Sequence, residues 1–220
     1  MNPIAEYVKT EQKNKIDRYR TLNEFAKKGQ ILFTGSSLME HFPVNELLMT
    51  LDIDRVIYNR GVGGFTTDDM LENMEVQVFG TEPSKIFINI GTNDIGDASR
   101  TFPEVLEHML TNYEKILTQI KERLPETKVY LMAYYPVNET EKLPAGEWGK
   151  YLFVNRNNQN LPAVNAEVEK LAAKFGYEFI NVNAGLTDET GKLKKEYTVE
   201  GIHMYGNAYR IILENMRPYL

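Results

Sequence analysis

Cysteine is absent from this chain, and histidine is scarce. The missing thiols exclude disulfides, thiolate metal ligands and a cysteine nucleophile. Three histidines are present, but they are dispersed and form no His-Glu-x-x-His pattern. We therefore predict no metal site. His41 and His108 fall within helical patterns and are assigned no role.

Long apolar runs are also missing. No stretch of about 18 apolar residues occurs, and the N-terminal segment is polar and charged where a signal peptide needs an apolar run. We expect a cytoplasmic protein without membrane insertion. Basic residues occur in short scattered groups within a chain of net charge -6. No extended basic surface is therefore predicted, and nucleic acid is not expected as a partner.

What the chain does contain is a regular alternation of short apolar runs and helical patterns. A length of 220 residues with 42% hydrophobic content suits one core, so we predict a single domain over residues 1–220. The alternation predicts a parallel sheet covered by helices on both faces, a three-layer α/β/α sandwich. A homo-oligomer is compatible with the sequence, but no heptad or repeat indicates one. The five predicted strands lie at residues 31–34, 56–58, 86–90, 129–133 and 179–182.

Helical patterns fill the segments between these strands. The clearest begins at Thr101, where Thr101 and Glu104 form a predicted capping box ahead of a long apolar stripe. Weaker stripes cover residues 70–78, 164–175 and 209–216. These stripes are typical of helices that pack on a core.

Reactive residue types follow the predicted strands where each strand ends. In open α/β sheets, ligands bind outside the carboxyl ends of the strands. A serine nucleophile needs a base, the base needs an orienting carboxylate, and acyl transfer needs donors for the oxyanion. Each of the residues named below could also be structural, as a glycine of a tight turn, a helix cap or a structural histidine. For Asp94 we predict only a structural role. The residues are Ser36, Ser37, Gly61, Gly63, Gly64, Gly91, Asn93, Asp94, Glu200 and His203.

The segments that hold these residues resemble the four blocks of the SGNH-hydrolase superfamily, the GDSL-type esterases and lipases. In chain order they are FTGSSL, NRGVGG, INIGTND and EGIHMYGNAY, and the resemblance spans residues 31–209. It implies a flavodoxin-like strand order, esterase, thioesterase or deacetylase activity on a small-molecule ester, and no cofactor.

The same resemblance assigns roles to individual residues. Ser37 occupies the Ser of Gly-Asp-Ser-Leu and would be the nucleophile, and His203 would be the general base and then the general acid. Glu200 stands at the position of the orienting carboxylate. Gly64 and Asn93 would join the Ser37 amide in the oxyanion hole. The resemblance thus implies a serine esterase for small or medium acyl esters, with carbohydrate O-acetyl groups among the candidate substrates.

Two residues depart from the family pattern. Ser36 replaces the Asp of the motif, and we predict a corner residue that hydrogen-bonds nearby backbone. Glu200 replaces the usual Asp three residues before His203, and its extra methylene requires a folded-back rotamer or a retreating backbone. Loss of an orienting carboxylate can cost up to about 10⁴ in rate. An alternative hypothesis is therefore a weak or inactive binding module of the same fold, for an acylated or carbohydrate ligand.

A long polar segment at residues 134–159 stands apart from the helical patterns. Long loops in compact domains are often lids or binding loops. Two interpretations of this segment stay open. It could border the acyl or alcohol pocket, or it could be a surface loop without a role in binding. The candidate contact residues are Trp148, Tyr151, Arg156, Asn157 and Asn158.

Overall fold

The computed structural model describes residues 3–139 and 149–220. Within these residues the sheet has five strands, all parallel, in the order β2-β1-β3-β4-β5. This is the flavodoxin-like order, and it confirms the predicted fold class. The strands are β1 (Ile31–Gly35), β2 (Ile57–Asn59), β3 (Lys85–Asn89), β4 (Lys128–Met132) and β5 (Glu178–Ile180). Each lies within two residues of a predicted run.

Helices cover both faces of the sheet. One face packs against α1, α4, α5, α7 and α9, and the other against α2, α3 and α10. The helices are α1 (Pro3–Asn23), α2 (Ser37–Glu40), α3 (Val44–Thr50), α4 (Thr67–Glu72), α5 (Met74–Gln77), α6 (Thr92–Ile95), α7 (Phe102–Arg123), α8 (Gly149–Leu152), α9 (Leu161–Phe175) and α10 (Gly206–Met216). Short 3-10 turns occupy Phe79–Thr81, Lys195–Tyr197 and Arg217–Tyr219.

Central strand β3 shows why the sheet has two cores. Successive side chains of a strand point to opposite faces. Ile86 and Ile88 therefore join the core under α7 and α9, whereas Phe87 joins the core under α2 and α10. All three side chains are fully buried. A strand covered on both faces is apolar at successive positions, as these three are, which is the pattern that predicted it.

Helix α7 begins where its capping box predicts. The Glu104 carboxylate accepts the Thr101 N–H at 2.8 Å, and the helix continues to Arg123. The predicted stripe over residues 70–78 is divided into α4 and α5, because Asn73 ends one and precedes the other. The Asn73 side chain donates to the Asp69 carbonyl at 2.8 Å. Such side-chain bonds compete with the helical backbone pattern and favour a break.

Helix α1 has no apolar stripe, and the sequence patterns did not predict it. Its buried residues are Gln12, Ile16 and Asn23, so two of its three buried side chains are polar. Within residues 3–139 and 149–220, no helix combines the length and the apolar character that a membrane crossing requires.

Candidate active site

The corner after β1 brings Ser37 to the carboxyl edge of the sheet. Gly35 has φ +153°, and a Cβ on it would lie 2.1 Å from the Asn89 carbonyl oxygen on β3. Only glycine fits here, because a side chain would meet the neighbouring backbone and would also adopt an unfavourable φ. The chain then turns through Ser36, and Ser37 is the first residue of α2.

The two neighbouring serines have different surroundings. Ser37 Oγ lies 2.9 Å from Nε2 of His203, so these two residues are 166 positions apart in sequence but in hydrogen-bond contact. Ser36 is 1% exposed, and its Oγ has no hydrogen-bond partner in the described part of the chain. The predicted hydrogen bond of Ser36 to nearby backbone is therefore wrong. The backbone N–H of Ser36 does donate a hydrogen bond, to the Asn89 carbonyl at 3.4 Å.

Glu200 reaches His203 by folding back over a tight turn. Its Oε1 accepts the backbone N–H of His203 at 3.0 Å and also contacts the ring Nδ1. The turn is closed by Val199 N–H, which donates to the His203 carbonyl at 2.8 Å, and by Thr198 Oγ1, which accepts the Gly201 N–H at 2.7 Å. The longer side chain of Glu200 thus contacts both groups of His203.

Electrostatics keep Glu200 ionised. Burial alone would raise the pKa of this carboxyl, but the hydrogen bonds from His203 and the positive charges of His203 and Arg156 outweigh burial and lower the pKa below its usual value. An ionised carboxylate on Nδ1 fixes the tautomer in which Nε2 can accept a proton from Ser37. The order Ser37, His203, Glu200 therefore has the geometry of a catalytic triad.

The glycine-rich loop after β2 packs directly on α2. A Cβ on Gly61 would lie 2.3 Å from the Glu40 nitrogen, so the loop backbone and α2 are in contact. The Glu40 carboxylate accepts the Gly63 N–H. Gly64 follows with φ +76°. Two of the predicted blocks are thus adjacent in space.

Asn93 ties the third block to this loop. It lies in α6, directly after β3, and its Nδ2 donates to the Phe65 carbonyl at 2.9 Å. Phe65 follows Gly64, so Asn93 is hydrogen-bonded to the residue next to Gly64. Asp94 is 6% exposed and its Oδ2 accepts the Thr67 N–H at 3.0 Å. Burial raises the pKa of Asp94 to about 6, although the hydrogen bonds from Thr67 oppose it. These contacts fit the structural role predicted for Asp94.

The other two histidines differ in position. The ring of His41 lies 5.2 Å from the ring of His203, a neighbour that the sequence did not indicate. Burial and the charge of His203 lower the pKa of His41.

His108 Nε2 lies 2.6 Å from the Asp68 carboxylate. Asp68, Asp94 and His108 bring potential ligand atoms within 4.8 Å of one another, and each of these side chains has a protein hydrogen-bond partner.

The segment at residues 134–159 is partly described. Residues 140–148, including Trp148, lie outside the described residues. Tyr151 is 60% exposed, and Asn158 Nδ2 donates to the Val137 carbonyl at 2.7 Å. Asn157 binds backbone of its own turn through contacts to Phe153 and Val154.

Arg156 is the charged residue that this segment buries near the triad. It is 6% exposed, donates to the Thr92 carbonyl at 3.4 Å, and interacts electrostatically with Glu200. Burial lowers the pKa of Arg156 to about 10. Nothing in the sequence signals this burial, because polar loops rarely enclose a guanidinium.

Comparison with known families decides the classification. The model of the GDSL-like Lipase/Acylhydrolase family matches residues 42–211, which is most of the chain. The chain belongs to this family. This membership agrees with the four SGNH-type blocks of the sequence. The matched region begins after Ser37, so the role of that serine depends on the geometry described above.

Two of the solved structures that are similar to this chain illustrate the shared fold. A Streptococcus pneumonia protein, provisionally assigned as a platelet activating factor, is 32% identical, with a TM-score of 0.83 over 98% of this chain and 95% of that one. A GDSL-like lipase from Bacteroides thetaiotaomicron is 20% identical, with a TM-score of 0.72 over 93% of this chain and 96% of that one.

One curated relative is longer than this chain. It is an N-acylneuraminate cytidylyltransferase from Escherichia coli O18:K1:H7, 26% identical over 212 residues. The match covers 92% of this chain but 45% of the relative, so the chain spans less than half of the relative's length.

Proposed function

We propose that the protein hydrolyses small or medium acyl esters through an acyl-enzyme formed on Ser37. The observation that supports this most strongly is the continuous contact from Glu200 to His203 to Ser37. A serine is a weak nucleophile until a base takes its proton, and here the base nitrogen lies at hydrogen-bond distance from the hydroxyl.

The steps follow from these contacts. Ser37 Oγ attacks the ester carbonyl carbon while His203 Nε2 takes its proton. Glu200 stabilises the imidazolium that forms, and His203 then gives the proton to the leaving alcohol as the C–O bond breaks. Water attacks the acyl-enzyme by the same route in reverse and releases the carboxylic acid and free Ser37. No cofactor is required for these steps.

Three donors would stabilise the oxyanion. In the described part of the chain, the N–H groups of Ser37 and Gly64 donate to no protein acceptor. Asn93 uses one Nδ2 hydrogen for the Phe65 carbonyl, which leaves the second for a substrate oxygen. Preorganised donors of this kind are worth about 10²–10³ in kcat each.

The contact between Glu200 and His203 favours hydrolysis over the alternative of an inactive binding module. Only the replacement of Asp by Glu at position 200 favoured it, and Glu200 contacts His203. Among acyl esters we propose O-acetyl groups on carbohydrates as the class to test after simple acetates. The similarity to an enzyme named for N-acylneuraminate, an acylated sugar acid, supports that choice.

Hydrolysis of p-nitrophenyl acetate between pH 6 and 9 tests the assignment. Ser37→Ala should fall to the uncatalysed rate, whereas Ser36→Ala should retain wild-type kcat because its hydroxyl has no partner in the described chain. The adjacent serine is thus a control matched in position and chemistry. Equal activity of wild type and Ser37→Ala would exclude Ser37 as the nucleophile, and labelling by a fluorophosphonate probe would show whether any serine is activated.

A further inference from the structure

Helix α1 packs on the domain through polar side chains. Its buried residues are Gln12, Ile16 and Asn23, and two of these are amides. Burying an amide is unfavourable unless it gains a hydrogen bond. Gln12 is 8% exposed, and its Nε2 donates to the Gly63 carbonyl oxygen at 2.8 Å. The bond joins α1 to the glycine-rich loop of the site.

Two further α1 side chains hold the same loop. The Tyr19 hydroxyl donates to the Gly61 carbonyl at 2.9 Å. Lys15 pairs with Glu40, whose other carboxylate oxygen accepts the Gly63 N–H. Both polar groups of Gly63 are therefore fixed, its carbonyl by α1 directly and its N–H through α2.

The bond to the Gly63 carbonyl determines where the Gly64 N–H points. The described residues contain no cis peptide bond, and the C=O and N–H of a trans peptide point in opposite directions. Because Gln12 holds the carbonyl, the Gly64 N–H points away from Gln12. This peptide lies beside the nucleophile, since a Cβ on Gly63 would be 3.9 Å from the Ser37 Cβ.

We infer that Gln12 is a positioning residue of the oxyanion hole, which presents the Gly64 N–H to the reacting carbonyl by holding the Gly63 carbonyl oxygen. The inference rests on the proposed function, in which Gly64 is an oxyanion donor. Gln12 itself touches no reacting atom. Its Oε1 has no hydrogen-bond partner in the described chain, so the bond to Gly63 is what its amide contributes there.

The variant Gln12→Met removes the donor and keeps the length and helix propensity of the side chain. Lys13→Met makes the same change at the next, exposed position of α1 and is the matched control. With p-nitrophenyl acetate, we expect kcat to fall about tenfold to a hundredfold in Gln12→Met, because a misplaced donor weakens transition-state binding. We expect KM to stay within about twofold, because ground-state binding is unchanged.

Phenylboronic acid provides a second readout, since it forms a tetrahedral adduct with an activated serine. Its inhibition constant should rise in Gln12→Met by the same factor as kcat/KM falls, at a temperature well below the thermal unfolding midpoints of both Gln12→Met and Lys13→Met. A role confined to holding α1 in place would lower the midpoint and leave kcat and boronate binding unchanged. That result overturns the inference.

The Gly64 amide resonance in ¹H–¹⁵N spectra separates this inference from the proposed function. A wild type that hydrolyses no ester overturns the proposed function alone. The Gly64 resonance should still shift in Gln12→Met and not in Lys13→Met, and no shift would refute the role of Gln12. If Gln12→Met does not fold, Gln12→Glu replaces it, because the carboxylate cannot donate to a carbonyl at neutral pH.

Discussion

Glu200 accepts hydrogen bonds from two groups of the same residue, the backbone N–H and the ring Nδ1 of His203. The backbone bond fixes the carboxylate on its own turn, and the ring bond then aligns the imidazole with Ser37. A family position that usually has Asp is thereby filled by a longer acid without loss of contact. These contacts support the proposal that Glu200 orients His203.

The first prediction concerns this carboxylate. Glu200→Gln keeps the shape of the side chain, but its neutral amide no longer favours the required tautomer or stabilises the imidazolium. We expect kcat on p-nitrophenyl acetate to fall by up to about 10⁴, with a residual rate above that of the uncatalysed reaction from the oxyanion donors. Steady-state kinetics between pH 6 and 9 measure both values.

Glu196→Gln is the control for that experiment. Glu196 lies in the same segment, and its side chain is exposed. Its substitution should leave kcat within about twofold of the wild type. A Glu200→Gln variant with the same activity as Glu196→Gln would show that His203 is oriented by something other than Glu200.

The second prediction concerns the corner before the nucleophile. Gly35→Ala places a Cβ 2.1 Å from the Asn89 carbonyl oxygen at φ +153°, so the backbone of β1 or β3 has to move. We expect the free energy of unfolding to fall by more than about 4 kcal/mol. Urea unfolding followed by circular dichroism measures it.

Gly176→Ala separates the steric cost from the conformational one. Gly176 also has a positive φ, +73°, but a Cβ there meets nothing within 4 Å. Its replacement should cost only the strain of a left-handed residue, about 1–2 kcal/mol. Equal costs at the two positions would mean that the contact with β3 contributes nothing to the stability of the corner.

Much of the fold was predictable because it depends on local patterns. Continuous apolar runs predict strands buried on both faces, and the capping box at Thr101 predicts the start of α7. The juxtaposition of Ser37, His203 and Glu200 was predictable in outline, since the carboxyl ends of parallel strands share one edge. These features needed no knowledge of long-range contacts.

Other features depend on tertiary contacts that no local pattern shows. Helix α1 buries amides whose partners lie about 50 residues away, as in the pair Gln12 and Gly63. The burial of Arg156 likewise involves a contact with Thr92, which is distant in sequence. Nothing in the sequence indicated that the Ser36 hydroxyl lacks a hydrogen-bond partner in the described chain. A serine in a turn commonly hydrogen-bonds nearby backbone, so that bond was expected.

The last prediction concerns Asp94, whose pKa is raised to about 6, mainly by burial. Between pH 4 and 6 the folded protein then binds this proton more strongly than the unfolded chain does. The stability that this group contributes is therefore complete at low pH and is lost as pH rises through about 6. Asp94→Asn cannot ionise, so the free energy of unfolding of the variant relative to wild type should rise by about 2 kcal/mol between pH 4.5 and 7.5.

Asp97→Asn should show the opposite sign. Hydrogen bonds from Ser99 lower the pKa of Asp97, so the contribution of that carboxylate is present above its unfolded pKa and lost as pH falls. Relative to wild type, this variant should lose stability as pH rises toward about 4, and the difference should then stay nearly constant between pH 4.5 and 7.5. Urea unfolding of the three proteins at pH 3, 4.5, 6 and 7.5 gives both differences, and a constant difference between Asp94→Asn and wild type from pH 4.5 to 7.5 would show that Asp94 ionises normally in the folded protein.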